Sequence, residues 1–100
     1  MESTKATEVI NNLQSDGAFY RVRGILQCVD LHFVNDSVIF SLENLKSDSV
    51  MILGYPVSAF AHAALECLGI ETYTGDDSDI HRIIKELPKM AEGYDNAIIS

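Results

Sequence analysis

The spacing of apolar positions changes several times along this chain, and each change marks an expected boundary. Ala6, Val9, Ile10 and Leu13 recur at helical intervals, with Asn11, Asn12 and Gln14 turned elsewhere. Ser3 or Thr4 suits the cap and Asp16-Gly17 the stop, so the pattern predicts a short amphipathic helix near 4–15. Over 18–27 no helical period fits Phe19, Tyr20, Val22, Ile25 and Leu26, and this aromatic and aliphatic run predicts a strand near 19–26. Gly24 reads there as a bulge or a close backbone approach.

Strict alternation follows. Val29, Leu31 and Phe33 alternate with Asp30 and His32, and Val38, Phe40 and Leu42 alternate with Ile39, Ser41 and Glu43. Folding the segment on Asn35-Asp36 brings all six apolar residues to one face, which predicts an antiparallel hairpin at 28–42, with strands near 28–34 and 37–42. The competing reading is a helix over 36–46 capped by Asp36 or Ser37, with Val38, Leu42 and Leu45 as its stripe. The longer period-2 match favours the hairpin.

Residues 50–53 are four consecutive apolar residues between Asp48-Ser49 and Gly54, the pattern of a short strand buried on both faces. Pro56 suits the first position of a helix over 56–68, and Gly69 suits the residue just past its end. Residues 70–73 read as a further strand, reached by a right-handed crossover and parallel to the first. Ile80, Ile83, Ile84 and Leu87 then form a helical stripe over 78–87, capped by Asp77 or Ser78 and interrupted at Pro88. Residues 94–100, ending Ala97-Ile98-Ile99-Ser100, read as a frayed tail or an edge strand. The expected fold is therefore α/β, bordering on α+β. It has a mixed sheet of about five strands, a β-α-β-α unit at 50–87 and an N-terminal helix, in a two- or three-layer sandwich.

Composition narrows the function classes. One hundred residues with 47% hydrophobic content describe a single domain, 1–100, able to bury a core without staples. No apolar run approaches a membrane span, and the N-terminus has no basic region followed by an apolar one, so a cytoplasmic protein without a secretory signal is expected. Cys28 and Cys67 lack framework spacing and read as reduced core thiols. Fifteen acidic residues against seven basic give a formal charge of −8. That charge disfavours direct nucleic-acid or anionic-membrane binding, and it suits either simple solubility or a partner with a basic surface. A homodimer is allowed by the apolar content and the tail.

Candidate chemistry is sparse. Cys28, Asp30 and His32 share a strand face, yet they spread over about 14 Å at roughly 3.4 Å per residue, too far for one ion. No metal or cofactor site is expected. The loop carrying Asp76, Asp77 and Asp79 lacks calcium-loop spacing, and capping accounts for Asp77. Six isolated glycines form no phosphate cradle, and nothing forms a nucleophile elbow, so no catalytic residue is assigned. Gly54, Tyr55 and Pro56 end the expected central strand, where an open α/β sheet places a ligand crevice and where an anion would meet the following helix.

Within residues 50–87, the Leu53-Gly54 strand end, the helix Ala61-x-x-Ala64-Leu65-x-x-Leu68-Gly69-Ile70, the strand ending at Tyr73, and Asp79-Ile80 with Ile83, Ile84 and Leu87 carry a resemblance. This part is similar to the C-terminal half of STAS domains (sulfate transporter and anti-sigma factor antagonist). It equally resembles the C-terminal half of the dinitrogenase iron–molybdenum cofactor biosynthesis family. The STAS likeness extends to Val29-Asp30-Leu31 and Phe33-Val34-Asn35-Asp36-Ser37, and it implies that Ser37 is a phosphate acceptor whose modification releases a partner. The STAS Ser-Gly pair and first two strands have no counterpart here, and 43–49 leaves no room for a helix of the cofactor family. The leading expectation is a small non-enzymatic protein-binding or regulatory domain, such as a stand-alone inhibitor from a phage or mobile element. The alternatives are the Ser37 switch and a small anionic-ligand site at Gly54–Val57.

Overall fold

A computed structural model describes residues 4–94. The chain is helical where a sheet was expected. Its elements are α1 (Thr4–Leu13), α2 (Ala18–Leu31), α3 (Asp36–Leu45), β1 (Met51–Ile52), β2 (Tyr55–Pro56), α4 (Val57–Cys67) and α5 (Ser78–Ala91). The only sheet among the described residues is the antiparallel pair β1–β2. The α/β sandwich with its five-stranded mixed sheet is thereby overturned, and so is the 28–42 hairpin.

Each correction has a local cause. The strand expected at 19–26 is the first half of α2. Its buried stripe is Val22, Ile25, Leu26 and Val29, at i, i+3, i+4 and i+7, and the last member lies beyond the stretch read as β-like. The strand expected at 28–34 is the end of α2 and the turn after it. There Leu31 is exposed and His32 closes the helix at φ 52°. The strand expected at 37–42 is α3, capped by Asn35, whose Oδ1 accepts from Val38 N at 2.9 Å. Val38, Leu42 and Leu45 are its buried stripe, while Phe40 points outward, 65% exposed.

The β-α-β-α unit at 50–87 becomes a hairpin followed by two helices. Residues 50–54 do not form a strand buried on both faces: Val50, Met51 and Leu53 are exposed and only Ile52 packs inward. Residues 70–73 pair with no strand because α4 takes their amides. Ile70 N and Glu71 N donate to Leu65 O at 2.9 and 3.2 Å, and Tyr73 N donates to Glu66 Oε1 at 2.8 Å. Pro56 is the cap residue of α4 and not its first helical residue. Gly69 (φ 76°) does stand past the end of α4, and Asp77 does cap α5. α5 is not interrupted at Pro88 but runs through it to Ala91. The expectations for 95–100 lie outside the described residues.

Packing centres on α4, which touches α2, α3, α5 and β2. Val57, Ala59, Phe60, Ala61, Ala63, Ala64 and Leu65 are all buried, so α4 is apolar nearly all round, and its four alanines let neighbouring backbones come close. α1 lies on α2 and α3, with Val9 and Leu13 inward. The α1–α2 seam carries a polar link: Asn12 Nδ2 donates to the buried Gln27 Oε1, and Gln27 Nε2 donates to Glu8 Oε2, each at 2.8 Å. Burying an amide without such partners would be unfavourable.

Candidate protein-binding surface

The hairpin is short but firmly rooted. Its loop is Leu53-Gly54, with φ 57° and 89°, the positive pair that a type I′ turn requires. Below the paired residues Ile52 and Tyr55, Val57 N donates to Val50 O at 2.9 Å and Ser58 N to Asp48 O at 2.8 Å. Asp48 is itself fixed, accepting Arg21 Nε at 2.7 Å and Val50 N at 3.1 Å. Arg21 in turn donates through Nη1 to Ser15 O and Asp16 O at 2.8 and 2.9 Å. These bonds join the α1–α2 turn, the start of α2 and the hairpin root in one network.

Alternation in so short a ribbon fixes which side chains face outward. Ile52 and Tyr55 turn in, and Tyr55 meets Phe60 edge-on at 6.1 Å between ring centroids. Met51 turns out, 60% exposed, and Leu53 at the tip is 66% exposed. The Tyr55 phenol stands close enough to the Arg82 guanidinium to raise its already high pKa, so the hairpin faces the first turns of α5.

The loop before α5 is tied down from both sides. Tyr73 stands between His62 of α4 and His81 of α5, with ring centroids 5.3 and 5.2 Å away. Its hydroxyl accepts from Asp77 N at 3.2 Å, and His81 Nε2 donates to Gly75 O at 2.7 Å. A Cβ at Gly75 would run into the Tyr73 ring, which would then have to shift. Asp77 Oδ1 caps α5 by accepting from Asp79 N and Ile80 N at 2.8 and 3.3 Å. At the other end of the loop, Lys46 Nζ lies 2.7 Å from Glu71 Oε1 and 2.9 Å from Glu43 Oε1. The bond to Glu71 raises the lysine pKa most.

Of the residues expected to bind, Gly54, Tyr55 and Pro56 are a hairpin turn and its second strand, not the end of a central strand. The first two N–H groups of α4 are already taken by Val50 and Asp48 carbonyls, which removes those donors from any anion at Gly54–Val57. Asp76, Asp77 and Asp79 are exposed around the start of α5, and none makes a salt bridge among the described residues. Arg82 feels both Tyr55 of the hairpin and Asp79 of this acidic turn, each raising its pKa, a proximity not visible in the sequence. Ser37 is exposed in the first turn of α3, next to Asp36.

Reactive groups are held quiet or apart. Burial pushes the Cys28 thiol up to about 12, and burial followed by the Glu66 charge raises that of Cys67. Cys28, Asp30 and His32, placed on one strand face by the sequence pattern, belong to α2 and its cap. No three His, Cys, Asp or Glu side chains converge as metal ligands among the described residues, and no described helix is long and apolar enough to cross a membrane. The sequence reasoning missed the exposed apolar ribbon because Leu53-Gly54 lacks the Asn or Asp that marks a two-residue hairpin turn. No family model, no curated protein and no solved structure matches this chain.

Proposed function

We propose that the chain is a small, non-enzymatic protein-binding domain that recognises a partner with a basic surface. The reading is carried by the exposed carboxylates of Asp76, Asp77 and Asp79, without salt-bridge partners among the described residues, together with the exposed Met51 and Leu53 of the hairpin. The formal charge of −8 adds a long-range attraction for cationic partners and repels nucleic acid and anionic lipid. An inhibitor of a nucleic-acid-binding protein, presenting carboxylates where that protein expects phosphates, belongs to this class.

The test is capture of partners on the immobilised chain, followed by titration of purified candidates at salt from about 0.05 to 0.5 M. Binding should weaken steeply with salt, and the pair Asp76→Asn and Asp79→Asn should weaken it further at low salt. That pair spares the capping carboxylate of Asp77. Binding insensitive to salt and to both substitutions would remove the reading. A second reading, the phospho-switch at Ser37, draws support from the exposure of that hydroxyl at a helix start, where added negative charge is favourable. Intact mass after incubation with candidate kinases tests it, and the absence of a species heavier by about 80 Da counts against it.

A further inference from the structure

We infer that the β1–β2 hairpin is the apolar anchor of the domain, with Leu53 as the residue inserted into a socket rimmed by Lys and Arg on a partner protein. The inference rests on the reading above for the sign of the partner's charge, and on separate observations for the anchor. Leu53 holds φ 57°, a conformation that disfavours leucine and suits Asn, Asp or Gly, and it leaves the side chain 66% exposed. Backbone and solvation both argue against leucine at this position, and nothing in the fold needs it. Met51 and Val50, 60% and 47% exposed, extend the same apolar ribbon. By contrast, the exposed rings of Phe19 and Tyr20 lie on an ordinary helix and partly cover each other, edge-on at 6.1 Å.

The ribbon is also held ready to bind. Arg21–Asp48 and the Val57–Val50 and Ser58–Asp48 bonds fix its root, and Tyr55 packs its inner face on Phe60. A pre-formed tip loses little freedom on docking. Charge selects the occupant. A second copy would bring another −8 to the contact, and an anionic membrane would be repelled in the same way. A cationic protein surface complements the acidic turn at Asp76 and Asp79 while an apolar socket takes Leu53 and Met51. A few well-packed, desolvated side chains at the centre of an interface carry most of its affinity.

The probe is a displayed library of random peptides of about 16 residues, selected against the full wild-type chain and then measured against variants. Leu53→Asn makes the loop Asn-Gly, which suits the same turn, so its Tm should equal or exceed that of the wild type. Enriched peptides should combine Lys or Arg with large apolar residues, and their affinity should fall about tenfold or more with Leu53→Asn or Met51→Thr. Basic peptides that bind Leu53→Asn as tightly as wild type would overturn the anchor and leave the charge reading standing. Peptides without Lys or Arg that are lost on Leu53→Asn would overturn the basic partner, and the proposed function with it. Failure to enrich any peptide, a lower Tm for Leu53→Asn, or a wild-type dimer that this variant dissociates would each overturn the inference.

Discussion

Cys67 Sγ donates to the carbonyl of Ile84 at 3.8 Å, and that carbonyl is the one Pro88 deprives of its helical N–H. A proline inside a helix removes one backbone donor, and its ring crowds the carbonyl four residues back. Here a thiol from α4 reaches across to the freed acceptor, a weak bond but better than none. Pro88 is also at the surface, so α5 continues to Ala91.

This pairing predicts a coupled mutant cycle. Pro88→Ala should stabilise the fold by about 1–2 kcal/mol by restoring a helical bond. Cys67→Ala should cost about 1–2 kcal/mol in the wild type through lost packing and an unpaired acceptor, and measurably less once Pro88 is alanine. Urea denaturation of the four proteins reads the coupling. Effects that add within about 0.5 kcal/mol would mean that the thiol does not serve the carbonyl.

Gly24 sets how closely α1 and α2 cross. A Cβ at this position would lie 2.8 Å from the Leu13 amide nitrogen and 3.0 Å from Asn12 Cβ, and a backbone atom cannot swing aside. Gly24→Ala should therefore destabilise by about 1–3 kcal/mol, although alanine is the better helix former. The same substitution should strain the Asn12–Gln27 bond across that seam. A thermal midpoint unchanged or raised in Gly24→Ala would refute the close crossing.

His62 makes stability depend on pH. Burial and then the Lys46 ammonium lower its pKa below 6.5, against the opposing pull of Glu71, Glu43 and Asp77. Tyr73 packs on the ring and Glu66 holds the Tyr73 amide close by. A histidine whose folded pKa is lowered binds its proton more readily in the unfolded chain. Its contribution is thus fully present above about 6.5 and is lost as pH falls from there through the lower folded value. Denaturation midpoints across pH 5–8 should show this fall, and His62→Gln should flatten it. A slope in that window identical in both proteins would assign it to other groups.

Helices whose apolar stripe is complete within one segment were legible, and those masked by exposed aromatic residues were not. α1 and α5 were legible because their stripes are complete, and α5 also shows its cap, Asp77. α2 was hidden because Phe19 and Tyr20, both exposed, look like strand residues, and the fourth member of its stripe, Val29, fell in the next segment. α3 was misread because Phe33 and Phe40 complete a two-residue period that Val38, Leu42 and Leu45 alone would not support. Phe40 is 65% exposed, so the residue that carried the alternation is the one the core does not use. The acidic residues of the candidate surface could be named in advance. Their position relative to the hairpin could not, because it depends on how α5 packs, which brings Arg82 near Tyr55.

Because α4 is clothed on every side, its neighbours must all exist before it can rest. A nascent chain that has left the ribosome only as far as Gly69 would hold the hairpin and the first four helices, with the side of α4 that α5 covers still bare. Ile83 and Leu87, which seal that side, arrive later in synthesis. Translation pausing in this region would leave a sticky half-built intermediate for chaperones to shelter, and the final collapse would wait for the α5 stripe to emerge.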